Sequence, residues 1–334
     1  MKLKKYLLNS LKKYQAGYNI LACILINASS SYVSAQDLKI IATIKPIHSL
    51  VSMVVGKQSL DSPTLLIKGA TSPHSYGLNP SDAKILNSAK IIFRVSNNIE
   101  PFLAKVLYSL PTTIKIVTLS ETPGLRLLRF RSEEPFEREH NGLGLSGHHY
   151  EQKQTNLSNL KNLSQIDGHI WLDPENAILL IKEINRVLNE FSPNNAKIYE
   201  ANAAQAISDI QKTNIYILDI LKPLRGKSYI VFHDALFYFE NHFNFPSMGS
   251  ITISPEIQSS AKHIAQIRDK IKTSKVNCVF KEPNSNTKIL DTILEGSSTK
   301  VGDLDPEGLL VTPGPSAYSD ILVGIALGLQ TCLM

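Results

Sequence analysis

Cysteine is scarce in this 334-residue chain, with only Cys23, Cys278 and Cys332, and no two lie close enough to make a paired cysteine metal motif. Tryptophan is scarcer still: Trp171 stands alone. No His-Glu-x-x-His pair occurs, which excludes the helical metalloprotease signature. Repeats of solenoid period and low-complexity tracts are also missing. Acid is absent from residues 1–35, which hold five lysines, so all but +1 of the formal charge of +6 belongs to that segment. A nearly neutral body lacks the basic footprint that nucleic acid requires. With 43% hydrophobic and 19% charged residues, the remainder has the composition of an ordinary globular chain, and its length favours two lobes over one.

The acid-free start reads as an export signal. A lysine-rich stretch precedes the apolar run 18–28, and Val33-Ser34-Ala35 offers small residues for cleavage before Gln36. That apolar run is short for a bilayer span, which favours cleavage over anchoring. Acylation of Cys23 after Ile20-Leu21-Ala22 is the alternative, a lipid-anchored form. Cleavage leaves Cys278 and Cys332, a natural disulfide pair in an exported chain, against the plainer reading of two buried thiols.

From Lys39 onward, short β-branched runs alternate with helical patterns. Strands are expected at 39–43, 64–67, 91–95 and 114–119, and again at 228–232, 247–253, 276–280 and 300–304. This alternation predicts an α/β fold with mainly parallel sheets flanked by helices. Asn79-Pro80-Ser81-Asp82 has the cap, proline and acid of a helix start. Between the two series, Ser192-Pro193 opens a helix reaching Leu221, with Ala203, Ile207, Ile210, Ile217 and Leu221 at helical spacing. At about 43 Å it is long enough to run along both lobes as a strut. The expected organisation is a cleaved segment 1–35, a lobe over 36–192, a linking helix over 193–222 and a lobe over 223–334. Residues 131–163, polar and carrying His140, His148 and His149, break the rhythm and read as a mobile insertion.

Three of the nine histidines share a setting. His74 follows a strand-like run, His169 lies in the Gly168–Pro174 stretch with Trp171, and His233 ends the run Val231-Phe232-His233. Ligands of open parallel sheets bind beyond the carboxyl ends of the strands. His233 and Asp305 occupy that position in the second half, so His74, His169, His233 and Asp305 form a candidate four-coordinate site in the cleft between the lobes. Imidazole-rich shells suit zinc, and carboxylate-rich shells suit manganese or magnesium. Each histidine taken singly also fits a capping or core role, the reading adopted for His48, His242 and His263. Asp305 precedes Pro306, a common turn, and water is the other candidate for the fourth position.

The motifs also carry a resemblance. Ile44-Lys45-Pro46, the stretch from Gly69 to His74, Asn79-Pro80-Ser81-Asp82, His169 to Pro174, Val231 to Asp234 and Ser247 to Thr252 occur in this order. Together they resemble the zinc-binding, ZnuA-like solute receptors of bacterial ABC importers. The resemblance implies two α/β lobes joined by one long helix and an ion buried between them. It also implies delivery of that ion to a membrane permease from the periplasm, by a monomer that is not an enzyme. The ligand role falls on His74, His169 and His233, with Asp305 as fourth. Histidine at 233, where manganese members have glutamate, favours zinc over manganese. Two departures stand out: Pro73 where some zinc members carry an acid, and an insertion with only three histidines beside Glu133, Glu134, Glu137 and Glu139. That insertion is either a weak zinc trap or a solvated loop. The rival classes are a manganese or mixed-metal receptor, an adhesin on the same fold, and an exported zinc hydrolase, for which Glu282 is the nearest candidate base.

Overall fold

The computed structural model describes residues 38–56, 61–131, 165–252, 259–283, 285 and 287–334. The export segment 1–35, Cys23 and, apart from Arg131, the insertion 131–163 lie outside them. Among the described residues there are two four-stranded sheets, both wholly parallel. The first contains β1 (Ile40–Ala42), β2 (Thr64–Leu65), β3 (Ile91–Arg94) and β4 (Lys115–Thr118) in the order β2-β1-β3-β4. The second repeats that order as β6-β5-β7-β8, from β5 (Tyr229–His233), β6 (Ser250–Thr252), β7 (Cys278–Lys281) and β8 (Lys300–Asp303). Such an order reverses direction between its two central strands, opening a crevice there at their carboxyl ends. In the second sheet those ends deliver His233 from β5 and Glu282 just after β7.

The central strands are largely apolar because helices cover both faces. All of β3 and β5 is buried, including Ile91, Ile92, Phe93, Tyr229, Ile230 and Val231. Helix α1 (Lys45–Val55) begins with Pro46 at a position where no amide is needed, and it buries nine side chains. Helix α2 (Pro80–Asn87) has the expected capping box. The Asn79 side chain accepts from the Ser81 and Asp82 amides, and Asp82 accepts from the Asn79 amide. Helix α3 is short, covering Leu103–Leu107.

Helix α4 (Pro174–Phe191) is capped by Asp173, whose side chain accepts from the Glu175 amide. The strut is α5 (Ala196–Leu221), flanked by the 3-10 turns Pro193–Asn195 and Lys222–Leu224. Its 26 residues span about 39 Å. It buries Tyr199, Ala203, Ala206, Ile210, Ile217, Ile220 and Leu221, packing on α1 and α4 beside the first sheet and on α9 (Ala317–Leu333) beside the second. Between them lie α6 (Phe237–Phe243), α7 (Ala261–Thr273) and α8 (Thr287–Leu294). Among the described residues no helix is long and apolar enough to cross a membrane.

In the Gly168–Pro174 stretch, Ile170–Leu172 form a 3-10 turn. The cause is local: the Asp167 carboxylate captures the His169 amide at 3.0 Å, a donor that a strand would give to its neighbour.

Cys278, at the start of β7, is bridged to Cys332 near the end of α9. Closing a loop across a sequence separation of 54 removes unfolded-state entropy worth about 4 kcal/mol. Converting both cysteines to serine is therefore expected to lower stability by about 2–4 kcal/mol in reversible denaturant titrations. An unchanged midpoint would show that the bridge contributes nothing to the fold.

Candidate metal centre

Each of the three histidines is held by its own local device. His74 lies on the loop between β2 and α2. That loop is fixed at its far end by the Asn79 capping box, and Asp82 of the box also accepts from the Tyr76 hydroxyl at 2.8 Å. The His74 amide donates to Ser72 Oγ at 3.3 Å. His169 follows Gly168, where a Cβ would sit 2.5 Å from Ile99, so any side chain there would force Ile99 to shift. Asp167 accepts from both the amide and Nδ1 of His169, the latter at 2.6 Å. This fixes the ring so that Nε2 faces inward. His233 is the last residue of β5 and is buried with it.

These devices bring the three rings together. His74, His169 and His233 each present a ligand atom, all within 4.8 Å of one another, and the ring centroids lie 5.0–5.2 Å apart. Nε2 of His74 is 3.2 Å from Nε2 of His169. His74 and His169 precede the strut helix α5 and His233 follows it, so the cluster draws on both sides of the strut.

The fourth expected residue is used differently. Asp305 accepts the Leu309 amide on Oδ1 at 2.7 Å and the Leu310 amide on Oδ2 at 2.8 Å, acting as a backbone cap. The structure does not bring it into the histidine cluster. Two other carboxylates touch the rings instead. Glu307 Oε1 lies 3.4 Å from His74 Nε2 and accepts from Ser72 Oγ at 3.0 Å. Glu282 Oε1 lies 3.3 Å from His233 Nδ1. His48, His242 and His263 sit elsewhere: His48 contacts the Pro63 carbonyl, His242 contacts Asn214 and Asp173, and His263 contacts the Ser250 carbonyl.

Sequence reasoning missed Asp167, Glu307 and Arg131. Asp167 left one signal, an acid two residues before a candidate ligand. The Arg131 guanidinium clamps Asp234, with Nε at 2.9 and 3.0 Å from its two oxygens, and reaches Glu240 at 2.7 Å. It also lies 4.6 Å over the Phe237 ring. Asp234 follows His233 directly, so Arg131 ties residues at the edge of the insertion to the segment carrying a cluster histidine.

Burial of three bases side by side sets their protonation. Burial, then the neighbouring His233 charge, holds His169 down at about 3. Burial, followed by repulsion from His169 and His233, keeps His74 well below the ordinary imidazole range. For His233 burial also opposes the charge, but Glu282, Glu307 and Asp234 outweigh it and raise the group to about 9. Burial and the Glu282 charge push Glu307 up to about 8. Near neutral pH His74 and His169 are therefore neutral, while His233 and Glu307 each hold a proton.

The fold is shared with proteins of known structure. A crystal structure of ZnuA superposes with a TM-score of 0.69 at 22% identity, over 89% of this chain and 99% of that one. A Mn-bound periplasmic metal binding protein from Candidatus Liberibacter asiaticus does so with a TM-score of 0.66 at 18% identity, over 88% and 99%. These define a fold class: two-lobed α/β proteins with parallel sheets flanked by helices. Residues 40–332 match the family described as zinc-uptake complex component A, periplasmic, and the chain belongs to that family. The high-affinity zinc uptake system protein ZnuA of Brucella abortus (strain 2308) is 35% identical over 324 residues, 93% of this chain and 96% of that protein.

A divalent ion binding to the cluster must displace the His233 proton, because only a neutral imidazole donates a lone pair. Protons compete with metal below the His233 value and no longer compete above it. Zinc affinity is expected to rise with pH up to about 9 and level off beyond, with at least one proton released per ion at pH 7.5. Calorimetry in two buffers of different ionisation enthalpy measures this release. A release of zero would place the proton elsewhere.

Proposed function

We propose that His74, His169 and His233 hold a zinc ion between the two sheets, and that the protein is an extracytoplasmic receptor passing that ion to the membrane permease of an ABC importer. The observation that carries the reading is the convergence of three buried imidazoles, from separate parts of the chain, within 4.8 Å. Three nitrogen donors in a compact cluster match the borderline-soft preference of zinc. Family membership points the same way. The disulfide Cys278–Cys332 fits an oxidising compartment. The lysine-rich residues 1–35 fit export to the periplasm, as a free rather than a lipid-anchored form.

A receptor fits the site better than a hydrolase. Zinc catalysis needs an open water position beside a general base. Here two of the three cluster residues are almost fully enclosed, His169 at 1% and His233 at 2% exposure, with His74 part-buried, and Glu282 Oε1 lies 3.3 Å from His233 Nδ1. A second reading, a manganese or mixed-metal receptor, draws on the two carboxylates against the rings, since oxygen donors favour manganese.

Calorimetric titration of metal-stripped protein with zinc and then manganese tests both readings. One tight zinc site and much weaker manganese binding are expected. Equal or stronger manganese binding would favour the mixed-metal reading. Zinc at about a thousandfold over its dissociation constant should stabilise the fold by about 4 kcal/mol. His233→Ala is expected to abolish most of that gain in thermal melts, and a full zinc-induced shift in the variant would remove His233 from the ligand set.

A further inference from the structure

His169 and His233 are joined by a route through the protein that does not cross the space between their rings. The Phe130 amide donates to the Gln165 carbonyl at 3.0 Å, the Asp167 amide donates to the Leu128 carbonyl at 2.9 Å, and Arg129 forms an antiparallel bridge with Ile166. Residues 128–130 therefore run beside 165–167, and Asp167 in turn holds the amide and Nδ1 of His169. From the end of this ladder Arg131 reaches across to residues that follow the strut. Its Nε donates to both Asp234 oxygens at 2.9 and 3.0 Å, its Nη2 also meets Asp234 Oδ1, and its Nη1 donates to Glu240 Oε2 at 2.7 Å. Asp234 directly follows His233, and its amide donates to the Thr252 carbonyl at 3.1 Å, which fixes it to the neighbouring strand β6.

The clasp joins groups that need it. Asp234 and Glu240 are each 2% exposed, so two carboxylates are buried against one guanidinium, which is itself stacked over Phe237. Buried carboxylates are costly unless paired, and the planar fork of arginine, unlike the point charge of lysine, serves two at once. Without it two like charges would be enclosed together, driving residues 234–240 away from residues 128–131. Tyr238 gives the same segments a second attachment, its hydroxyl accepting from the Leu128 amide and donating to the Asp167 carbonyl, both at 2.9 Å. The docking of α6 thus does not depend on Arg131 alone.

We propose that Arg131 is a positioning residue for metal retention: its clasp on Asp234 and Glu240 holds His233 at ligand spacing from His169 and sets how long a captured ion stays. This rests on the three-histidine zinc site proposed above. A guanidinium has no lone pair to offer a metal, so Arg131 acts only through the carboxylates it grips. Parting His233 from His169 breaks the clasp along with the metal bonds. Loss of the clasp is therefore read as faster release of the ion from an unchanged set of donors.

The test mixes zinc-loaded protein with an excess of a chromophoric chelator and follows the release rate, while the visible spectrum of Co(II) in place of zinc reports the donor set. Removing a group that orients a ligand typically costs 10–100-fold in affinity, so Arg131→Met is expected to release zinc at least about tenfold faster, with one ion bound and the parent's cobalt spectrum. Arg131→Lys keeps the charge without the fork, and its release rate should fall between the two. Arg186→Met, which removes an exposed arginine paired with Glu183 and Glu190 within α4, should match the parent. Because Arg131→Met strands two buried carboxylates, a triple variant with Asp234→Asn and Glu240→Gln added removes the clasp and the stranded charge together. It should still release zinc about tenfold faster. A parent-like release rate in Arg131→Lys or in the triple variant would overturn the proposal, as would a changed cobalt spectrum in Arg131→Met. If the parent takes up no zinc, the three-histidine site itself fails; if it does and every variant releases at the parent's rate, that site stands and the role of Arg131 falls.

Discussion

Three imidazoles packed at 5.0–5.2 Å between ring centroids and shut away from water impose the constraint that organises this molecule. They cannot all be charged, because burial and mutual repulsion both penalise the cation. Two are driven neutral, and the third keeps its proton only through the carboxylates of Glu282, Glu307 and Asp234. Negative charge surrounding a nest of neutral nitrogens is the electrostatic image of a divalent cation. The proton on His233 is a weak substitute that metal displaces. The site therefore combines a neutral nitrogen lining with acidic backing, and the fold is arranged to keep both in place.

Most of that arrangement is hydrogen bonding between the two halves. The Trp171 indole reaches the Pro306 carbonyl, and the Tyr318 hydroxyl returns to the Trp171 carbonyl at 3.0 Å. The Tyr238 hydroxyl accepts from the Leu128 amide and donates to the Asp167 carbonyl, joining α6 to the segment that steers His169. Ser49 on α1 accepts from the Tyr318 amide, and buried Lys45 donates to the Leu309 carbonyl. Each bond involves a polar group that is buried and so must be satisfied. Together with the packing of α5 on α1, α4 and α9, they set the spacing of the sheets, and with it the distance between His233 and the other two rings.

The sequence made the large features legible. Apolar β-branched runs marked the strands, and Asn79-Pro80-Ser81-Asp82 marked a helix start that proves to be a full capping box. A long periodic stretch marked the strut. The histidine trio was legible because each member lies near the end of a run or a turn. Less visible was the choice between Asp305 and Glu307. They stand two residues apart in one loop, and only the path of the backbone decides that Asp305 spends both oxygens on amides while Glu307 turns toward His74. Arg131 was hidden for a related reason. An arginine beside a polar insertion looks like a solvated charge until the fold sets it against Asp234 and Glu240, far along the chain.

A receptor must also let go, and the distribution of groups bears on how. His74 and His169 belong to the first half, while His233, Glu282 and Glu307 belong to the second. In the proposed site, displacement of one sheet from the other would lengthen the donor–ion distances on both sides together. Arg131 bears on the same coordinate. It is tied to Asp234 beside His233 and lies next to the Arg129–Ile166 bridge, one residue before the segment that holds Asp167. Tight capture and prompt release need not be balanced through the strength of individual ligands. Dividing the shell between two sheets lets geometry govern both, with the same bonds that hold the ion also measuring whether the halves are together.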